Sequence, residues 1–155
     1  MTLEVTKQEA ILKLETKIQG SRDTVWQLLT TTPGYQQWFS EIKAENLPES
    51  GELFFEAEGY KESLKLYQYR ERECLQFDWA GAIVQFALSG DEETTTVNFQ
   101  ENAPLDFPNL ARDLAGWTLQ LQHLKAAAEK QPYHFDNEEF TEWMTKYGQD
   151  LVPIE

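Results

Sequence analysis

The fold is decided by the stretch GWTLQLQHLKAAAEK, residues 116–130. It belongs to a helix that the sequence predicts from about residue 108 to residue 130, where Gln131 and Pro132 end it. At about 100° per residue, six apolar side chains fall in one stripe about 80° wide. These are Leu110, Leu114, Trp117, Leu121, Leu124 and Ala128. One strongly apolar face on a helix of this length predicts that the helix packs along a sheet.

Gly116 is the unusual residue of this helix, because glycine costs about 1 kcal/mol in a helix interior relative to alanine. A curved sheet stands off from the middle of a straight helix, and we expect Trp117 to fill that gap. In this interpretation Gly116 allows a close backbone approach beside the indole. The alternative is that Trp117 roofs a cavity that is left incompletely filled. The two interpretations overlap, since a cavity wall is also core.

Six segments before the long helix alternate between apolar and polar residues, as half-buried strands do. They are residues 12–18, 52–58, 62–70, 74–80, 83–89 and 94–101. The short links between the last five favour an antiparallel meander. The order therefore predicts an α+β fold, in which a curved antiparallel six-stranded sheet wraps around a long C-terminal helix.

Two short helices are predicted after the first strand. Ser21 is placed to cap the first of them. Thr32 is placed to cap the second, with Pro33 at its first helical position. The polar residues 40–50 that follow are predicted to form a loop.

The chain is predicted to divide into a domain of residues 1–130 and a C-terminal extension of residues 131–155. Asp136 and Glu139 match a capping box, and Gly148 marks a helix stop, so the extension contains a short helix. Its apolar stripe comprises Phe140, Trp143, Met144 and Tyr147. The outer face of the long helix, about 160–200° from the Trp117 stripe, is also apolar. We expect the extension to cover that face, either by folding back or by exchange across a dimer.

Four segments in a fixed order carry a family resemblance. They are IQGSRDTVWQLLTTTPGYQQWF (18–39), LQFDWA (75–80), VQFALSGDEETTTVNF (84–99) and GWTLQLQHL (116–124). Together they resemble the START-like (SRPBCC, helix-grip) superfamily, and within it the domain of the activator of the heat-shock protein 90 ATPase. The resemblance covers residues 11 to about 130. It implies a cavity between sheet and long helix that can hold a small hydrophobic or aromatic molecule.

Eight side chains are predicted to line that cavity. Most are aromatic residues on the predicted inward faces, and one tyrosine could supply a polar group. They are Trp38, Phe55, Tyr69, Phe77, Trp79, Phe86, Trp117 and Leu121. The alternative is that these rings only pack against one another, because aromatic residues dominate ordinary cores.

Residues typical of enzymes are scarce. His123 lies about 120° from the Trp117 stripe and so faces solvent, and no two histidines have metal-ligand spacing. The sequence has no glycine-rich phosphate loop and no nucleophile elbow. It identifies no acid–base pair, although a buried pair would not be visible in it. We therefore expect no catalytic residue, no metal and no cofactor.

The net charge of −14 disfavours nucleic acid and anionic membranes as partners. The acidity serves solubility or, alternatively, attracts a basic partner protein. The first 15 residues lack the pattern of a signal peptide, and the single Cys74 cannot form an intramolecular disulfide. We expect a cytoplasmic protein that is a monomer or a homodimer and that does not enter a membrane.

The favoured function is a non-enzymatic binding protein that holds a small hydrophobic or aromatic ligand between sheet and long helix. One alternative is a protein-interaction module similar to the activators of the heat-shock protein 90 ATPase, which the resemblance and the acidic surface motivate. A further alternative is a cyclase- or hydrolase-like enzyme, since some members of the superfamily are enzymes.

Overall fold

The computed structural model describes residues 1–152. In chain order, two strands are followed by two short helices, six strands and two longer helices. The strands are β1 (Thr2–Val5), β2 (Glu9–Gln19), β3 (Ile42–Lys43), β4 (Glu52–Ala57), β5 (Tyr60–Arg70), β6 (Cys74–Trp79), β7 (Ala82–Gly90) and β8 (Thr94–Pro104). The helices are α1 (Arg22–Thr30), α2 (Thr32–Tyr35), α3 (Leu110–Ala128) and α4 (Asn137–Asp150).

The strands form one antiparallel sheet in the order β1-β2-β8-β7-β6-β5-β4-β3. The chain-distant strands β2 and β8 share an 11-residue ladder that runs from the Glu9–Pro104 pair to the Gln19–Thr94 pair. This ladder brings the first part of the chain next to the strand that leads into α3. The α+β class and the helix-grip arrangement predicted from the sequence are confirmed.

The predicted number of six strands is wrong, because the sheet has eight. The six predicted segments are present as β2 and β4 to β8. β1 escaped detection because three of its four residues are exposed, so its sequence does not alternate between buried and exposed positions. β3 lies inside the segment 40–50 that was predicted as a loop, and it exists through the pairing of Ile42 with Phe55 rather than through a pattern of its own.

The helix caps differ from the prediction at α2. Ser21 caps α1 as predicted, accepting a backbone N–H of the first turn at 3.1 Å. α2 is capped one residue earlier than predicted, by Thr31, which accepts the N–H of Gly34 at 3.0 Å. The Thr32 side chain instead accepts the N–H of Ala44 at 3.0 Å, so a tertiary partner takes the residue that local sequence assigns to the cap.

α3 packs on one face of the sheet with all six residues of the predicted stripe buried. On its other side it contacts α4 of the same chain. Tyr147 of α4 is fully buried there. Gly148 does not end α4, contrary to the prediction. The helix continues to Asp150, and Gly148 faces Ala111 of α3 across the helix–helix contact.

Among residues 1–152, no helix combines the length and the apolar character that a membrane crossing requires. The Cys74 thiol is buried and unpaired. The hydrophobic core fills the space between the sheet and the inner faces of α1 and α3. The candidate site lies at the end of this core that is nearest the start of α3.

Candidate functional site

A cleft of about 490 Å³ opens beside the N-terminal half of α3. Its volume lies in the range of small-molecule sites, roughly 300–1,000 Å³. Aromatic rings from α3, α4, two strands and two connecting segments form its walls. They are Phe39, Phe55, Trp79, Phe107, Trp117 and Phe140.

Trp117 is the centre of this aromatic wall. Its ring centroid lies 5.0 Å from that of Trp79 and 5.4 Å from that of Phe39, both in inclined geometries. Trp79 in turn lies 5.7 Å from Phe55 of β4. Because Trp117 is only 2% exposed, these contacts hold its indole firmly at the floor of the cleft.

The surroundings of Gly116 differ from the close backbone approach that the sequence predicts. Among residues 1–152, no heavy atom other than its local helix neighbours lies within 4 Å of the position that a Cβ would occupy there. Gly116 instead lines the cleft. The glycine therefore keeps open space over the helix, and the expectation of close backbone contact was wrong.

Three of the eight predicted lining residues border the cleft, namely Phe55, Trp79 and Trp117. The structure places the other five away from it. They are Trp38, Tyr69, Phe77, Phe86 and Leu121. Four of these are buried core residues, whereas the partly buried Tyr69 packs edge-on against Trp26 of α1 at 5.3 Å.

Trp38 is predicted to line the cavity, but its neighbour Phe39 lines the cleft instead. Trp38 is the larger ring, but it points into the core, where its Nε1 donates to the carbonyl of Leu28 at 2.8 Å. That hydrogen bond satisfies the only polar atom of a buried indole. Phe39, which was not among the predicted residues, contacts both Trp79 and Trp117 and lines the cleft.

A carboxyl pair lies beneath the aromatic wall. Asp113, in the first turn of α3, lines the cleft, and its Oδ1 accepts the indole N–H of Trp79 at 2.9 Å. Glu101 of β8 lies within hydrogen-bonding reach of Asp113 and is completely buried. Among the described residues, neither Glu101 oxygen has a donor unless one of the two carboxyls carries a proton.

Burial, followed by the neighbouring Asp113, raises the pKa of Glu101 well above its usual range. Burial also raises the pKa of Asp113, whereas hydrogen bonds from Glu101 and Trp79 oppose that rise. The start of a helix favours a negative charge, which also stabilises ionised Asp113. Both carboxyls are thus harder to ionise than free ones, and Asp113 is the one that accepts a hydrogen bond from Trp79.

Apart from a proton shared between Glu101 and Asp113, three buried polar atoms of residues that line the cleft have no hydrogen-bond partner within residues 1–152. They are Asp113 Oδ2, Trp117 Nε1 and Gln120 Oε1. More than about nine in ten buried polar groups are hydrogen-bonded in folded proteins. Three unsatisfied atoms around one cleft therefore indicate a place for polar groups that the chain itself does not supply.

A second lobe of about 250 Å³ adjoins the cleft. The two share four lining residues, which are Phe55, Trp79, Phe107 and Asp113. Glu62 and Tyr60 of β5 border this second lobe. Asp113 thus stands where the two spaces meet.

The sequence contained signals for the two carboxyls. Glu101 follows Val97 and Phe99 in the same alternating register of its strand, so it occupies an inward position, where a charge is unusual. Asp113 precedes Trp117 by four residues and therefore shares its helix face. That the two meet is a tertiary fact, because β8 and α3 approach each other only through the fold.

No protein-family model matches the sequence, and no curated protein sequence matches it. Solved structures do. A conserved protein of unknown function from Enterococcus faecalis is similar, with 27% identity and a TM-score of 0.89 over 97% of this chain and 89% of that chain. The Aha1 dimer from Colwellia psychrerythraea aligns at 21% identity and a TM-score of 0.61 over 77% of this chain and 96% of that chain.

CalU16 from Micromonospora echinospora aligns at 16% identity and a TM-score of 0.70, over 94% of this chain and 90% of that chain. The similarity to the Enterococcus faecalis protein spans nearly all of both chains. The resemblance predicted from the sequence is confirmed: the chain has the START-like helix-grip fold and is structurally similar to Aha1.

Proposed function

We propose that this protein binds a small hydrophobic or aromatic molecule in the cleft beside α3, with Phe55, Trp79 and Trp117 as binding residues. The observation that carries the proposal is the open space over Gly116. A helix-destabilising residue is placed where it keeps an aromatic-walled cleft unfilled, and a purely structural helix would gain by having alanine there.

The free energy gained by burying an aromatic ligand is smaller than micromolar binding requires, which explains why polar groups also belong to the site. Burying an aromatic body of about 200 Å² yields roughly 5 kcal/mol at 25 cal/mol per Å². Micromolar binding needs about 8 kcal/mol after the cost of association has been met. Hydrogen bonds to the unsatisfied atoms of Asp113, Trp117 and Gln120 supply the kind of contribution that closes this difference.

A fluorescence titration tests the proposal. Trp79 and Trp117 form part of the cleft, so a bound aromatic molecule changes the tryptophan emission. We expect a saturable change with at least one member of a panel of fatty acids and of mono- and bicyclic aromatic compounds. Gly116→Leu, which fills the open space, should weaken that binding at least tenfold.

The matched control is Thr145→Leu, which adds the same side chain at an exposed position of α4 away from the cleft. It should bind like the unmodified protein. Circular dichroism verifies that both variants fold. If no compound in the panel gives a saturable change with the unmodified protein, ligand binding is contradicted. If Gly116→Leu binds the ligand as tightly as the unmodified protein does, the ligand binds outside this cleft.

A second candidate is docking of a basic protein surface, similar in role to the activators of the heat-shock protein 90 ATPase. The net charge of −14 favours it. It differs from the first candidate in its salt dependence, because salt screens contacts between exposed charges. The Debye length falls to about 8 Å at about 0.15 M ionic strength. A pull-down with the cognate heat-shock protein at 50 and 300 mM salt, together with an ATPase assay, tests it.

We also propose a cellular location and an oligomeric state. The buried, unpaired Cys74 thiol supports the cytoplasmic location predicted from the sequence. The Colwellia psychrerythraea structure is that of a dimer, which supports a homodimer as the alternative to a monomer. Light scattering at two protein concentrations distinguishes the two states.

A further inference from the structure

We propose that the ligand carries a protonated amine on its hydrophobic or aromatic body, and that this amine pairs with Asp113. The inference rests on the proposed function and names the chemistry of the ligand. Its starting point is the junction of the two lobes, where Asp113 borders both spaces.

The charges around that junction favour a cation. Glu41, Arg112 and Asp113 line the cleft, and Glu62 lines the second lobe. The two lobes are thus lined by three carboxyl side chains and one guanidinium, and Arg112 is an exposed side chain whose charge water screens. An anionic ligand would place its charge against Asp113 in a partly desolvated site, which costs several kcal/mol.

The hydrogen-bonding capacity of the site also matches an ammonium group. Trp79 donates to Oδ1 of Asp113, whereas, apart from the Glu101 carboxyl, no group within residues 1–152 donates to Oδ2, and none donates to Oε1 of Gln120. An ammonium group offers three donors and accepts none, so it can donate to the Asp113 carboxylate and carry the opposite charge. A hydroxyl group can donate to the same oxygen but brings no charge.

The remaining surroundings stabilise a cation and its apolar attachment. The rings of Trp79, Trp117 and Phe39 border the same space, and the faces of such rings attract cations by about 0.5–2 kcal/mol. The Glu101 carboxyl beneath Asp113 is fully buried, and of the two only Asp113 lines the cleft. A single carboxyl of the pair is thus placed to meet a monocation.

Calorimetric titration with three naphthalenes of similar shape tests the inference. They are 2-naphthylmethylamine, a cation at pH 7; 2-naphthalenemethanol, which is neutral; and 2-naphthoate, an anion. In 150 mM salt, where attraction to the acidic surface is screened, we expect the amine to bind at least tenfold more tightly than the alcohol and the acid to bind most weakly.

Asp113→Asn is the decisive variant, because asparagine keeps the shape and can still accept the Trp79 N–H. We expect it to reduce the preference for the amine over the alcohol to less than threefold. Asp106→Asn is the matched control, since Asp106 is exposed and lies just before α3. It removes the same charge and should leave the preference unchanged.

The possible results separate the two proposals. If the alcohol binds as tightly as the amine, the amine inference fails and the proposed ligand-binding function stands. If the preference for the amine persists in Asp113→Asn, the assignment to Asp113 is overturned. If none of the three compounds binds at millimolar concentration and the fluorescence panel is also negative, both proposals fail.

Discussion

The hydroxyl oxygens of Tyr147 and Thr118 lie 2.7 Å apart, and this buried contact joins the last helix to the long one. The Thr118 hydroxyl also donates to the carbonyl of Leu114 at 2.9 Å. The neighbouring Ala115 and Leu119 of α3 are 0% and 2% exposed. The outer face of α3 is thus covered within the same chain.

Deletion of residues 132–155 is expected to lower the melting temperature by several degrees. It uncovers the apolar outer face of α3 and removes the burial of Tyr147, and loss of one large buried side chain alone costs about 3–5 kcal/mol. For a chain of this size, 1 kcal/mol corresponds to roughly 2–4 °C. Differential scanning calorimetry of the full and shortened chains measures the effect, and equal melting temperatures would contradict an integral role for the extension.

The hydroxyl contact itself should contribute less. In Tyr147→Phe, Thr118 keeps its partner at Leu114, so no buried polar atom is stranded. The expected loss in the free energy of unfolding is about 1 kcal/mol. Thr145→Ala, at an exposed position of the same helix, is the control and should change the free energy by less than about 0.5 kcal/mol.

Gly116→Ala is expected to stabilise the protein. The added methyl group meets no neighbour within 4 Å among the described residues, so the substitution retains the gain in helix propensity of about 0.5–1 kcal/mol. Urea denaturation measures it. A loss of stability would show that the helix cannot hold a side chain at position 116 and would remove the reason to regard the glycine as functional.

Glu101→Gln is expected to change how stability depends on pH. The pKa of Glu101 is raised in the folded state by burial and by Asp113, so the folded protein binds this proton more tightly than the unfolded chain does. The stabilisation is complete below the unfolded pKa of about 4.3 and is lost as the pH rises through the folded value. Glutamine resembles the protonated acid and does not titrate.

The measurement compares urea denaturation of both proteins at pH 5, 6, 7 and 8. In the affected part of this range, the free energy of unfolding of the unmodified protein should fall relative to that of Glu101→Gln by at most about 1.4 kcal/mol per pH unit. The difference between the two proteins isolates this site, because the exposed carboxyls are common to both. Parallel curves would mean that Glu101 titrates normally.

Much of the fold could be predicted from the sequence because most of its strands and the helix α3 carry a regular local pattern of apolar residues. The strand segments alternate, and the α3 stripe repeats with helical spacing over the whole length of that helix. β1 and β3 lack such patterns, since one is an exposed edge and the other consists of two residues held by β4. The cap of α2 shifted because Ala44, distant in sequence, engages Thr32.

The site was less predictable, because alternation tells which face a residue occupies and not which inward residues leave space. Trp38 and Phe39 show the limit: the residue that lines the cleft is the smaller ring, and a hydrogen bond to Leu28 decides where the larger one points. Position 101 carried a usable signal in the form of a charge in an inward register. Its meeting with Asp113 depends on where α3 starts over the sheet, which no local pattern specifies.

Under the proposed function, the missing side chain on α3 links the size of the ligand to the stability of the protein. Alanine at position 116 would strengthen the helix and reduce the open space beside it, and its Cβ would meet no neighbour within 4 Å among the described residues. If the proposal holds, selection for large ligands favours glycine at this position, whereas selection for heat resistance favours alanine and narrows the range of ligands. The choice of residue at position 116 would then set the balance between the size of the ligand and the thermal stability of the protein.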